Sequence, residues 1–74
     1  MKKQVLRVKD TLDKAERLLR ELVQHREDYV LDRSWQWQES EKCEEYEMFT
    51  EQIDRLANDV YELDDQVSEI LAEL

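Results

Sequence analysis

The sequence predicts an all-α fold, an antiparallel helical hairpin of the coiled-coil type. Its 74 residues include no Gly and no Pro, the residues on which tight turns and sheet corners most often depend. Apolar residues recur at alternating intervals of three and four in both halves of the chain, as at the a and d positions of a heptad abcdefg. The two repeats are out of phase by one residue, which favours a bend between them over one continuous helix.

The first predicted helix covers about residues 3–33, and its a and d positions are apolar with one basic exception. These positions are Val5, Val8, Leu12, Ala15, Leu19, Leu22, Arg26 and Tyr29. A charged side chain is rarely buried without a partner. We therefore expect the Arg26 guanidinium to reach an acid of the second helix, such as Glu45, or to stack on an aromatic ring.

The predicted bend covers about residues 34–40, where the two heptad frames disagree. Ser40 is followed by Glu41, Glu44 and Glu45, the pattern of a helix N-cap with acids in the first turn. The second helix is therefore expected over about residues 41–73. All its a and d positions are apolar or aromatic, from Tyr46, Phe49, Ile53, Leu56 and Val60 to Leu63, Val67, Ile70 and Leu74.

Pairing the two helices antiparallel gives a preferred register. It sets Leu12 opposite Leu63 and Leu19 opposite Leu56, and it leaves no apolar layer unpaired. Near the bend the same register pairs Arg26 with Phe49 and Tyr29 with Tyr46. Charge agrees with this pairing, because residues 1–33 carry a formal charge of +2 and residues 34–74 carry −11.

Residues 1–74 are expected to form a single helical hairpin domain that dimerises into a four-helix bundle. One pair of helices of this length is a marginal core, so a second surface should cover it. Helix one carries extra apolar residues beside its a and d positions, and these are the candidate dimer-interface residues: Leu18, Val23 and Val30. A homodimer is therefore the first partner predicted.

The sequence offers little for catalysis, and no catalytic residue, cofactor or metal site is predicted. His25 is the only histidine, and the residue three before it is Leu22, so the Glu-x-x-His repeats of di-metal bundles are missing. Cys43 is the only cysteine, so it has no partner for an internal disulfide. No apolar run is long enough to cross a bilayer, and the first ten residues lack the apolar stretch of a secretory signal. We expect a cytoplasmic protein that does not enter membranes.

Two surfaces are candidates for binding a partner. Trp35 and Trp37 stand among five of the six aromatic residues, around the bend. They either close the open end of the hairpin or form an exposed hot spot for another protein, or one Trp serves each purpose. The second surface is the acid-rich second helix, where the candidate partner-binding residues are Glu44, Glu47, Glu51 and Asp54. Its sign disfavours direct nucleic-acid binding and favours a basic protein partner.

The leading function is therefore a non-enzymatic protein–protein interaction module, acting as adaptor, subunit or regulator through a coiled-coil bundle and an acidic helix face. An alternative comes from resemblance in charge and size to the small acidic inhibitors that phages encode. Such a protein would mimic nucleic acid and occupy the basic groove of a nuclease or DNA-binding protein.

A minor alternative rests on Trp37 near the turn and on Tyr61 and Asp65, which fit Tyr-x-x-x-Asp. The pattern resembles the WXG100 family of type VII secreted helical hairpins, and the resemblance implies secretion. The sequence departs from that family because Gln38 and Glu39 follow Trp37 where a glycine is expected, and because the chain is shorter.

Overall fold

A computed structural model describes all 74 residues as a helical hairpin, and it contains no strand. Helix α1 runs from Lys2–Leu31, a single-turn helix α2 from Trp35–Gln38, and helix α3 from Glu41–Glu73. Helices α1 and α3 lie antiparallel along nearly their whole length, in a body of 55 × 15 × 12 Å. The all-α class and the hairpin architecture predicted from the sequence are thus confirmed. None of the helices is sufficiently long and apolar to cross a membrane.

Two serine caps shape the bend. The Ser34 hydroxyl accepts a hydrogen bond from the Trp37 amide at 3.3 Å and starts α2. The Ser40 hydroxyl accepts one from the Cys43 amide at 3.3 Å and starts α3, as the sequence predicted. Helix α1 ends two residues before the predicted boundary, and four of the seven residues of the predicted bend are helical. Side-chain caps at the starts of α2 and α3 therefore stabilise this bend, which contains no glycine.

The predicted register is confirmed at the bend. The rings of Tyr29 and Tyr46 stack with their centroids 5.1 Å apart. The Arg26 guanidinium carbon lies 5.2 Å from the centre of the Phe49 ring. Sliding either helix by one heptad would move these pairs about 10 Å apart, because each residue advances an α-helix by roughly 1.5 Å.

The rotation of the two helices differs from the prediction. The buried residues of α3 are Cys43, Thr50, Ala57 and Asp64, which repeat every seven residues at position e rather than at a or d. The d residues of both helices remain largely exposed, including Leu22 and Leu56. The prediction that a and d side chains together form the contact is therefore wrong in part. Small side chains at e let the helix axes approach, whereas the bulky d residues would hold them apart.

Candidate functional site

The two tryptophans of the bend have different environments. The Trp37 ring packs edge-to-face on Tyr29 and Tyr46, with centroid distances of 5.7 and 5.9 Å. The Trp35 ring is 67% exposed. Of the arrangements considered from the sequence, the structure matches the one in which Trp37 closes the end of the hairpin and Trp35 faces outward. A role for Trp35 as a binding hot spot stays a prediction.

Arg26 is held by aromatic and neutral groups. Its guanidinium carbon lies 3.8 Å from the centre of the Tyr46 ring. Its Nε donates to the Thr50 hydroxyl at 2.9 Å, and one terminal nitrogen donates to the Tyr46 carbonyl at 3.1 Å. The expectation of stacking on a ring is confirmed, but the alternative acid partner, such as Glu45, is not found. Arg26 is therefore a structural residue of the hairpin contact.

The four candidate acids of α3 are all exposed, and three of them flank grooves beside the e positions. Glu47 and Glu51 line an open groove of about 450 Å³ with Arg26 and Val30 among its other walls. Asp54 lines the next groove and has one carboxylate oxygen 3.8 Å from an Arg20 nitrogen. Glu44 lies outside both grooves. Glu47, Glu51 and Asp54 thus share one side of the hairpin, with most of their carboxylate oxygens free for a partner.

The candidate dimer-interface residues do not form one patch. Leu18, at position g, is exposed, whereas Val23 and Val30, at position e, are half-buried beside the contact between α1 and α3. In an antiparallel pair the e positions lie on one side of the contact and the d and g positions lie on the other. Leu18 is therefore on the opposite side of the hairpin from the two valines.

A polar cluster that sequence analysis did not single out crosses the hairpin near the two chain termini. The Lys9 ammonium donates to an Asp64 carboxylate oxygen at 3.0 Å and lies 3.6 Å from Asp13. Hydrogen bonds from Asp13 and Lys9 hold the pKa of Asp64 below its usual value. The hydrogen bond with Asp64 and desolvation raise the pKa of Asp13, and the bond to Asp64 raises that of Lys9. The only sequence signal was that Lys9 and Asp64 share position e in the predicted register.

The sequence prediction also missed an exposed apolar surface, the d side of the hairpin. We use this name for the side that carries the exposed large d residues of both helices. Those residues are Val8, Leu22, Tyr29, Phe49, Leu56, Leu63 and Ile70, which are 42–56% exposed. The signal that could have revealed it is the row of small residues at Cys43, Thr50 and Ala57, which marks where helices approach most closely.

The possible metal ligands are dispersed over the hairpin, and the one thiol is buried. No group of three or more His, Cys, Asp or Glu side chains is placed to hold a metal ion. Burial raises the pKa of the Cys43 thiol, and the neighbouring Glu47 and Glu44 carboxylates raise it further. The thiol lies 3.6 Å from a Glu47 oxygen and is therefore a protonated donor rather than a reactive thiolate.

Comparison with known proteins adds no assignment: no protein-family model, curated protein or solved structure matches this chain.

Proposed function

We propose that this chain is a non-enzymatic protein–protein interaction module, an adaptor, subunit or regulator that acts through a coiled-coil bundle. The observation that carries the proposal is the exposure of the d side, where seven large apolar residues follow one another along a hairpin with only four buried residues. A contiguous apolar surface of this kind marks a protein interface more often than a solvated face. The proposal includes homodimerisation and a cytoplasmic location.

The proposal also assigns a basic protein as the second partner. Residues 34–74 carry thirteen acids against two basic residues. Glu47, Glu51 and Asp54 share one side, and the Arg20 contact to Asp54 is long and exposed, so it neutralises little of this charge. The acidic side attracts a basic surface and repels nucleic acid. Direct binding to DNA or RNA is not part of the proposed function.

The experiment is affinity capture from the native cell with mass spectrometry, followed by binding measurements with the recovered protein. The test variant neutralises the candidate acids by Glu44→Gln, Glu47→Gln, Glu51→Gln and Asp54→Asn. We expect at least tenfold weaker binding than wild type, mainly through a slower association rate. Wild-type binding should weaken as salt rises, because exposed charges are screened over about 10 Å at 0.1 M salt.

The matched control removes four acids from the first half of the chain, where the charge is balanced. Its substitutions are Asp10→Asn, Glu21→Gln, Asp28→Asn and Asp32→Asn, at positions that line neither of the two grooves. Both variants have the same net charge, so the control should bind nearly as tightly as wild type if the position of the acids matters. If both variants bind the partner equally weakly, the effect depends on net charge and not on the position of the acids. If neither salt nor either set of substitutions changes the affinity, the candidate acids do not contact the partner.

The excess of acids also supports the second candidate function, an inhibitor of the phage type that mimics nucleic acid. In that case the recovered partner is a nuclease or DNA-binding protein, and duplex DNA competes with this chain for the same groove. Competition by DNA that fails at saturating concentration would exclude mimicry while leaving the interaction module intact. The WXG100-like alternative gains no further support, since Trp37 is packed against Tyr29 and Tyr46.

A further inference from the structure

The d side has the dimensions of a protein interface. The hairpin presents a face of 55 × 15 Å there. A rectangle of this size covers about 800 Å², the same order as the accessible surface that one partner buries in a standard-size interface. The exposed d residues run along the whole face, from Ile70 and Val8 near the termini to Phe49 and Tyr29 near the bend. A partner that covers all of them is therefore about as long as the hairpin itself.

The borders of this face are largely uncharged, unlike the rest of the surface. They consist of the g positions, which within α1 are Gln4, Thr11, Leu18 and His25, and within α3 are Glu45, Gln52, Asp59, Gln66 and Glu73. Three acids and no permanently basic residue stand in these nine positions. A strongly basic partner would find few counter-charges here, whereas an uncharged helical surface of matching length would fit.

Charge along the chain selects between two symmetric ways to cover this face with a second copy. If the bends lie at opposite ends, α3 meets α3 of the partner, and two helices that each belong to a half of charge −11 are placed side by side. If the bends lie at the same end, each α1, in the half of charge +2, meets α3 of the partner. The second arrangement brings unlike charges together and leaves the two acidic helices on a diagonal.

We propose that a second copy of this chain covers the d side, with each α1 packed antiparallel on α3 of the partner and both bends at the same end. The inference rests on the proposed function in so far as that function includes homodimerisation. It adds which surface is used and which helices meet. In this arrangement the d residues of α1 alternate with those of the partner, so that Leu22 lies between the partner's Phe49 and the partner's Leu56.

The first experiment measures molecular mass in solution, by sedimentation equilibrium, for wild type and two variants. We expect a dimer for wild type and a monomer for Leu56→Lys, because a charge at the centre of the apolar face would be buried. Tyr61→Lys is the matched control, since Tyr61 is similarly exposed but lies at position b, away from this face. This control should remain a dimer. Helical circular dichroism shows whether each variant is folded.

Wild-type protein that stays monomeric over the whole concentration range of the sedimentation experiment would overturn the inference. So would a Leu56→Lys protein that stays dimeric, or a Tyr61→Lys protein that dissociates equally. The proposed function is tested separately by binding of the basic partner, because Leu56→Lys leaves Glu44, Glu47, Glu51 and Asp54 in place. Wild-type protein that is monomeric but still binds the basic partner in a salt-dependent way would overturn the d-side dimer and keep the interaction module.

The second experiment tests the orientation with a single spin label at the bend, on Gln36→Cys in a Cys43→Ser background. With both bends at the same end, helix axes about 10 Å apart place the two labels within about 30 Å. Opposite ends would separate them by about the 55 Å length of the hairpin. A label on Glu73→Cys should also give the short distance. Long distances at both positions would reject the proposed orientation.

Discussion

The side of the hairpin that is buried between the helices is less apolar than the side that stays exposed. Hydrophobicity alone would predict the opposite. The side that closes, at the e positions, contains Cys43, Thr50, Ala57 and the pair of Lys9 with Asp64. The side that stays open carries the larger apolar residues, such as Leu56 and Leu63. The closed side is therefore selected by size and by specific polar contacts, whereas the open side keeps the larger apolar area. The folded hairpin therefore keeps an exposed apolar surface, and such a surface favours association with another protein.

The largest expected effect comes from enlarging a side chain on the closed side. Ala57 has no exposed surface, so Ala57→Leu should force the helices apart and lower the free energy of unfolding by about 3 kcal/mol, as overpacked cores do. Urea unfolding at a fixed protein concentration measures the change. Ala72→Leu, at an exposed position of the same helix, is the control and should have little effect. Equal effects would mean that the axes do not approach most closely at the e positions.

The second prediction concerns the bend, where Trp37 contacts the d residue Tyr29. Trp37→Ala removes two edge-to-face aromatic pairs and should lower the free energy of unfolding by about 2 kcal/mol. Trp35→Ala should change it by less than about 0.5 kcal/mol, as is usual for an exposed position. Thermal unfolding followed by near-ultraviolet circular dichroism measures both. Similar losses for the two variants would show that Trp35 is also part of the folded core.

The third prediction tests whether polar contacts or apolar area stabilise the closed side. From the sequence alone, Arg26→Leu is expected to raise the melting temperature. The structure gives Arg26 two hydrogen bonds and a stacked ring, so we now expect a loss of about 1 kcal/mol. Arg26→Lys keeps the positive charge but loses the planar guanidinium. Its stability should lie between those of wild type and Arg26→Leu. An Arg26→Leu protein that is more stable than wild type would show that apolar area, rather than polar contacts, stabilises the closed side.

The smallest expected effect is a pH dependence from Lys9. Its folded pKa is raised above 10.5, chiefly by the hydrogen bond to Asp64. The protonated lysine therefore stabilises the fold fully below pH 10.5, and this contribution is lost as the pH rises through the raised folded value. The melting temperature of wild type should fall more steeply across this range than that of Lys9→Met. For Lys42→Met the melting temperature should fall with pH as steeply as for wild type. If Lys42→Met reduces this pH dependence as much as Lys9→Met does, the assignment to Lys9 is wrong.

Sequence patterns predicted much of this hairpin because they report on local physics. The alternating three and four spacing predicted both helices, the cap at Ser40 predicted the start of α3, and the match of apolar layers predicted the pairing of Tyr29 with Tyr46. The candidate acids were also located as exposed residues of α3. These features depend on residues near one another in sequence, or on the length of two matching repeats.

The sequence by itself determined the two helices, their antiparallel register and the excess of acid in α3, because periodicity, capping and charge are properties of the residues in order. Only the tertiary structure decided how each helix is rotated about its axis. That rotation depends on how closely Ala57 and Thr50 let the axes approach and on the contacts of Arg26 and of Lys9 with Asp64, which exist only once both helices are in place. A rotation of less than one residue step turned the d positions from half of a predicted core into an exposed apolar face.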